Sequence, residues 1–212
     1  MKRTLLARAI TTGAFVAGAL ATALPGVATA ADANGRSAVD GIGIAPCSAL
    51  IDAQKTEDAS FFITLGGWVD GYITAVNTMN GDTFDVTPWE KTDLFLALIE
   101  GNCQQNPEIQ IVAIVHGLVQ SLLPNRLKAP SEVKQVDLGE GRKVTHYVET
   151  LRRIQKALKD QGHYSGGIDG DYGPGTRAAM AAFQTKAGLD PTGLPDQLTL
   201  LRLLHPSGPG GG

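Results

Sequence analysis

Six glycines fall between positions 162 and 175, between two stretches whose apolar residues recur at helical spacing. Upstream, Val148, Leu151, Ile154 and Leu158 mark one face of a helix that Gly162 ends. Downstream, Pro174 opens a second helix, with Ala178, Ala179, Ala182 and Phe183 expected inside and Gly188 as its stop. Pro191-Thr192-Gly193 turns the chain into a last helix carrying Leu198, Leu201 and Leu204. A chain that turns so often between two packed helices needs backbone conformations that glycine adopts at low cost. Ile168, the one strongly apolar residue of the loop, is expected to plug the helix pair. Asp169 and Thr176 are expected to bind loop N–H groups and the start of the next helix.

The loop also resembles the start of a calcium site, Asp169-x-Asp171-x-Gly173. Such a loop needs Gly at its sixth position and Glu at its twelfth, where this chain has Pro174 and Met180. No metal or cofactor is therefore expected.

Residues 155–158, Gly162-His163-Tyr164, Gly167-Ile168-Asp169-Gly170, Tyr172-Gly173-Pro174-x-Thr176, Phe183-Gln184 and Gly193 together resemble the peptidoglycan-binding-like domain found on many wall hydrolases. One departure is Pro195-Asp196, at the start of the last helix. The resemblance implies a three-helix fold over 145–205 and non-catalytic binding of wall muropeptides. Glycan and stem peptide offer hydroxyls, amides and carboxylates. Tyr164, Asp169, Gly170, Tyr172, Gly173, Thr176, Arg177 and Gln184 are the ligand-binding candidates. Among them, Asp169, Thr176 and the glycines are expected mainly to shape the loop, and Tyr164, Tyr172 and Arg177 to meet ligand.

The first thirty residues have the form of a cleavable signal peptide. Lys2, Arg3 and Arg8 precede an apolar run, and Ala28-Thr29-Ala30 supplies the small residues of a cleavage site. No cysteine follows that site, which argues against a lipid anchor, and no later stretch is apolar enough to span a bilayer. Cleavage would move the net charge from −3 to −6. Residues 31–125 carry 3 bases and 12 acids, whereas residues 126–212 carry 12 bases and 9 acids. The asymmetry points to two modules, and neither has the basic excess of a nucleic-acid binder. Export also makes Cys47 and Cys103 a disulfide in preference to two thiols or a metal site.

Residues 31–44 read as a flexible lead-in and 45–125 as an acidic helical domain. It has a short helix near Cys47, a long one over 59–79 and one from Pro88 to about Cys103. Thr87-Pro88-Trp89-Glu90 has the form of a capping box. Asn106-Pro107 is expected to cap a further helix through Leu122. Gly66, Gly67 and Gly71 on the long helix are expected to admit a neighbouring helix closely. Residues 126–144 read as an exposed linker, in which Val133, Val136 and Leu138 have the pattern of a short strand, and 206–212 as a disordered tail. The expected architecture is all-α, with two small helical domains joined by the linker.

Cys47, Gly67-Trp68-x-x-Gly71-Tyr72, residues 98–103 and Asn106-Pro107 resemble small disulfide-linked helical periplasmic domains, such as acid-stress chaperones and immunity proteins. That implies binding or protection, with a periplasmic protein as partner. His116, His146, His163 and His205 are widely separated, and no zinc-protease pair, nucleophile elbow or S-x-x-K motif occurs. Glu57, Asp70, Glu90 and Glu100 are available for two-carboxylate glycan hydrolysis but are expected on solvated helix faces. The expected function is a non-catalytic peptidoglycan binder, located in the periplasm or secreted and held at the wall. A wall hydrolase is the alternative.

Overall fold

A computed structural model describes residues 37–205, except Glu140. The signal-peptide, cleavage-site and tail expectations lie outside these residues, as does much of the lead-in. Seven α-helices and one two-stranded sheet occur among the described residues: α1 (Cys47–Lys55), α2 (Ala59–Met79), α3 (Thr92–Gln105), α4 (Ile111–Leu122), β1 (Val133–Gly139), β2 (Arg142–Tyr147), α5 (Val148–Asp160), α6 (Pro174–Lys186) and α7 (Gln197–Leu204). The chain is mostly helical, and the strands correct the all-α expectation.

The first four helices enclose one apolar cluster, with Leu50, Leu65, Val69, Phe95, Ile99 and Val115 fully buried. Asp58 caps α2 by accepting the Phe61 N–H at 3.1 Å. Cys47 and Cys103, both fully buried, form a disulfide that ties α1 to the end of α3. The segment after α3 does not cap α4 as expected. It runs antiparallel to residues 45–48 and holds the Cys47 end of the bond: Cys47 donates to the Ile109 carbonyl at 2.8 Å and Ile111 to the Ala45 carbonyl at 3.0 Å. On α2, a side chain at Gly66 would make ordinary contact with Thr92 and Leu96, while Gly67 and Gly71 face open space. The close helix approach expected of all three is absent at two.

The capping box does not form. Helix α3 starts at Thr92, with no side-chain cap, and the Thr87 N–H and hydroxyl both turn to Asp85. Trp89, 7 % exposed, is withdrawn into a second cluster with Leu151, Ile154, Leu158, Met180, Phe183, Leu200 and Leu203. Burying an indole against three helices outweighs one capped turn, worth about 1 kcal/mol. Gln197 fixes the insertion by donating to the Trp89 carbonyl at 2.7 Å and accepting the Lys91 N–H at 2.9 Å.

The stretch expected as an exposed linker carries an antiparallel hairpin, whose first strand contains the expected Val133, Val136 and Leu138. Val133 pairs with Tyr147 and Val136 with Val144, with a register shift between Asp137 and Gly139. Val136 is buried in the second cluster, and Lys134 and Arg177 bridge the hairpin to the glycine-rich region through Asp171 and the Asp137 carbonyl. The described residues from Val39 onward form one compact unit. No helix among the described residues is long and apolar enough to cross a membrane.

Candidate functional site

Helices α5, α6 and α7 fall where the glycine and proline signals place them, but two faces are rotated. Ala179, Met180, Phe183 and Gln184 point inward on α6, leaving Ala178 and Ala182 exposed. On α7 the buried residues are Thr199, Leu200 and Leu203, and Leu198 is 50 % exposed. Ile168 is 43 % exposed and plugs nothing.

The glycine-rich loop is organised by Gln155, a fully buried amide on α5. Its Nε2 donates to the Asp169 carboxylate at 2.7 Å, the Asp171 carbonyl at 3.0 Å and the Thr176 hydroxyl at 3.3 Å. Its Oε1 accepts the Gly170 N–H at 2.8 Å. The Asp169 carboxylate also accepts the Asp171 N–H at 2.9 Å. The Gln155 bond, and after it the Asp171 N–H, hold the Asp169 carboxyl below the usual carboxylate range. Thr176 donates to the Asp171 carbonyl at 3.2 Å and is buried at the start of α6.

The same device recurs in the next turn. Gln184 on α6 is also fully buried, and its Nε2 donates to the Leu194 carbonyl and the Thr199 hydroxyl, each at 3.0 Å, and to the Thr192 hydroxyl at 3.2 Å. Its Oε1 accepts the Gly193 N–H at 2.7 Å, and Thr192 accepts the Leu194 N–H at 3.1 Å. Asp169, Gly170, Asp171 and Thr176 thus correspond to Thr192, Gly193, Leu194 and Thr199. Both glycines have positive φ, 79° at Gly170 and 66° at Gly193. Both touch the helix one repeat back, at Val148 and Arg177 respectively. The departure at Pro195-Asp196 belongs to this second turn: Asp196 caps α7 by accepting the Thr199 N–H at 2.9 Å.

These bonds sort the candidates. Asp169, Gly170, Thr176 and Gln184 are engaged inside the turns. Tyr172 joins the two turns by donating to the Gly193 carbonyl at 3.0 Å, and burial raises its phenol pKa, so it stays protonated. Arg177 donates to the Asp137 carbonyl of the hairpin. Gly173 is the uncapped residue before α6. Tyr164 closes the near end of the loop: its hydroxyl donates to the Gly167 carbonyl at 3.0 Å, and its ring lies against Gly166. The asymmetry of the two turns opens a surface there. Amide and glycine stand 15 residues apart in the first turn and 9 in the second. In the first, the longer connection borders an open hollow of about 400 Å³, lined by residues that include His163, Tyr164, Ser165, Gly175 and Ala178. The His163 Nε2 is buried without a partner, and its ring stands edge-on to Phe183 at 5.9 Å. Sequence reading missed His163, Ser165 and the exposed Ala178 as lining residues, and Gln155 as the centre of the loop. A signal was present: each Gln follows an apolar residue and precedes a Gly that stands six positions before a Thr.

The family model described as a putative peptidoglycan binding domain matches residues 148–203. No curated protein and no solved structure matches the chain.

Proposed function

We propose, from the premise that residues 148–203 are a peptidoglycan-binding-like domain, that the protein is an exported, non-catalytic wall binder. Its α5–α7 module holds peptidoglycan and its acidic helical part meets a periplasmic protein. The observation that carries the reading is the coincidence of the family match with a rigid, doubly pinned loop that leaves one open hollow beside Tyr164. Pinning by buried amides fixes the hollow before ligand arrives, which lowers the ordering cost of binding. Tyr164 supplies an aromatic edge. Ser165 and His163 supply polar atoms, and Gly175 and Ala178 leave room for a flat ligand.

Export is supported by the signal-like first thirty residues and by the buried disulfide, which belongs in an oxidising compartment. The partner role is supported by the acidic excess and by Ile63 and Met79, which α2 leaves more than three-quarters exposed. Against hydrolysis, three of the four carboxylates the sequence offers have separate bonding partners. Glu57 sits in the turn between α1 and α2, Asp70 accepts the Thr92 hydroxyl at 2.7 Å, Glu90 faces His205, and Glu100 meets Gln54.

Sedimentation with purified sacculi tests this reading. The chain lacking residues 1–30 is expected to sediment and to release no soluble fragments. Ala178→Arg, a substitution at an exposed helix position that fills the hollow, is expected to reduce the bound fraction severalfold without lowering Tm. Fragment release would make the protein a hydrolase, and failure of the parent chain to sediment would remove the binding reading.

A further inference from the structure

The hollow beside Tyr164 lies where the first turn of the module is longer than its joint requires. Both turns leave their helices in the same way. His163 donates to the Leu158 carbonyl and Leu189 to the Gln184 carbonyl, each at 2.8 Å, and the glycine before each donor has positive φ, 78° at Gly162 and 69° at Gly188. From there the second turn reaches Thr192 through two residues, Asp190 and Pro191, whereas the first reaches Asp169 through five, 164–168. Helix α5 also ends five residues after Gln155, and α6 only two after Gln184. Two residues are thus enough to close such a joint. The longer connection is free to serve something besides the packing of three helices, and its Tyr164, Ser165 and Gly166 line the hollow.

That lining favours one half of the wall polymer over the other. Sugar hydroxyls are held by planar polar side chains and over the open face of an aromatic ring. None of the described residues that line the hollow has a carboxylate, amide or guanidinium side chain. The Tyr164 ring is packed on its own loop: a Cβ at Gly166 would stand 2.5 Å from the Tyr164 Cζ, and the hydroxyl already donates to the Gly167 carbonyl. A peptide needs less. Its backbone bonds to N–H and C=O groups, and its methyl side chains fit against small residues. Gly175 and Ala178 are both exposed on α6, about one turn apart, and line the hollow together with Ala179. Helix α6 has no side-chain cap, so its first-turn N–H groups lack an acceptor within the helix and can meet a peptide carbonyl. We propose that this hollow takes the alanine-bearing stem peptide of the wall and not its glycan strand. It rests on the wall-binding reading and narrows it to one part of the polymer.

The backbone N–H signals of Gly166 and Gly175 in a ¹⁵N-labelled sample of the chain lacking residues 1–30 report the hollow, and those of Gly188 and Gly193 report the second turn. Titration with the free stem peptide, L-alanyl-γ-D-glutamyl-meso-diaminopimelyl-D-alanine, is expected to move the first pair saturably and leave the second pair in place. Tetraacetylchitotetraose, a glycan without peptide, is expected to move neither pair. Ala178→Arg, which fills the hollow, is expected to weaken the peptide titration roughly tenfold or more. Ala113→Arg, the same change at an exposed position of α4, is expected to titrate like the parent chain. Three results in a protein that still sediments with sacculi overturn this inference and leave the wall-binding reading standing: Gly166 and Gly175 unmoved by the peptide, moved equally by the glycan, or moved by the peptide with unchanged affinity in Ala178→Arg. A parent chain that does not sediment removes both.

Discussion

The two amide-centred turns of the α5–α7 module use the same bonds in different surroundings. Around Gln184, Gly193, Pro195 and Thr199 are buried, Leu194 is half-buried, and Thr192 and Asp196 are exposed. Around Gln155, Gly170 and Thr176 are buried, but Asp169 and Asp171 are exposed. The second turn is the tighter joint, with Leu194 half-buried where the first has exposed Asp171. The first repeats the joint with a longer connection and a carboxylate where the second has a hydroxyl, and the open hollow lies at that first turn. On the proposed reading, the binding surface is an addition to a device whose primary work is to fix three helices.

The largest effect expected from this difference is at the amides. Replacing either Gln by Leu leaves a buried glycine N–H and several acceptors without a partner, costing roughly 3 kcal/mol. Gln184→Leu should cost more than Gln155→Leu by about 1 kcal/mol, because water can reach two partners of the first turn, Asp169 and Asp171, but only Thr192 fully in the second. Urea unfolding followed by circular dichroism measures both, and a larger loss at Gln155 would break the distinction between tighter and more open turns.

The glycines sharpen it next. A Cβ at Gly193 would stand 2.8 Å from the Arg177 carbonyl oxygen, which is backbone. One at Gly170 meets the Val148 Cγ1 at 2.6 Å but the carbonyl only at 3.1 Å, and a side-chain methyl yields more easily. With the positive φ added, Gly193→Ala should cost about 2–3 kcal/mol and Gly170→Ala about 1–2 kcal/mol. Thermal unfolding of the two variants checks the order.

Much of the module was legible because glycine and proline punctuate it without help from distant residues. The ends of α5 and α6, and their order with α7, followed from Gly162, Pro174, Gly188 and Gly193. The faces of α6 and α7 were less legible. Buried Gln184 and Thr199 are polar by type and core by position, so reading apolar residues alone rotated both helices. Trp89 shows a second limit. Thr87 to Glu90 satisfies a local capping pattern, yet the indole finds more burial against α5 and against α7, whose Gln197 lies 108 residues away in sequence. Of the hairpin over 133–147, the first strand was legible in Val133, Val136 and Leu138, but the second was hidden, since of the hairpin's apolar residues only Val136 is buried with the module. The hollow beside Tyr164 depends on which small side chains stay exposed, and that cannot be read before the helix faces are known.

Acid provides a further contrast, this time between the hairpin and the turns. His146 on β2 is 4 % exposed with an unpartnered Nε2, and burial, then nearby Lys91, push its pKa from 6.5 down to about 4. Between those values the unfolded chain binds a proton that the folded chain does not, so stability falls as pH falls through this window. The loss should reach about 3 kcal/mol near pH 4. In His146→Phe, urea midpoints measured from pH 7 to 4 should follow a shallower slope than in the parent chain.

The smallest effect separates the turns directly. Asp169 keeps its lowered carboxyl pKa through the Gln155 and Asp171 bonds, whereas the equivalent Thr192 has no proton to gain near neutral pH. A lowered carboxyl contributes stability above the ordinary carboxylate pKa and loses it as pH falls through the folded value. The first turn should therefore loosen at its glycine below about pH 4, beneath the His146 window, while the Thr192 contact at the equivalent place in the second does not respond. Amide exchange at Gly170 and Gly193, each bonded to its own Gln, reads the two turns separately. Acidification should speed opening at Gly170 relative to Gly193, and Asp169→Thr should abolish that divergence. If Gly193 opens in step with Gly170, the bond from Tyr172 to the Gly193 carbonyl couples the turns into one joint, and they do not open independently.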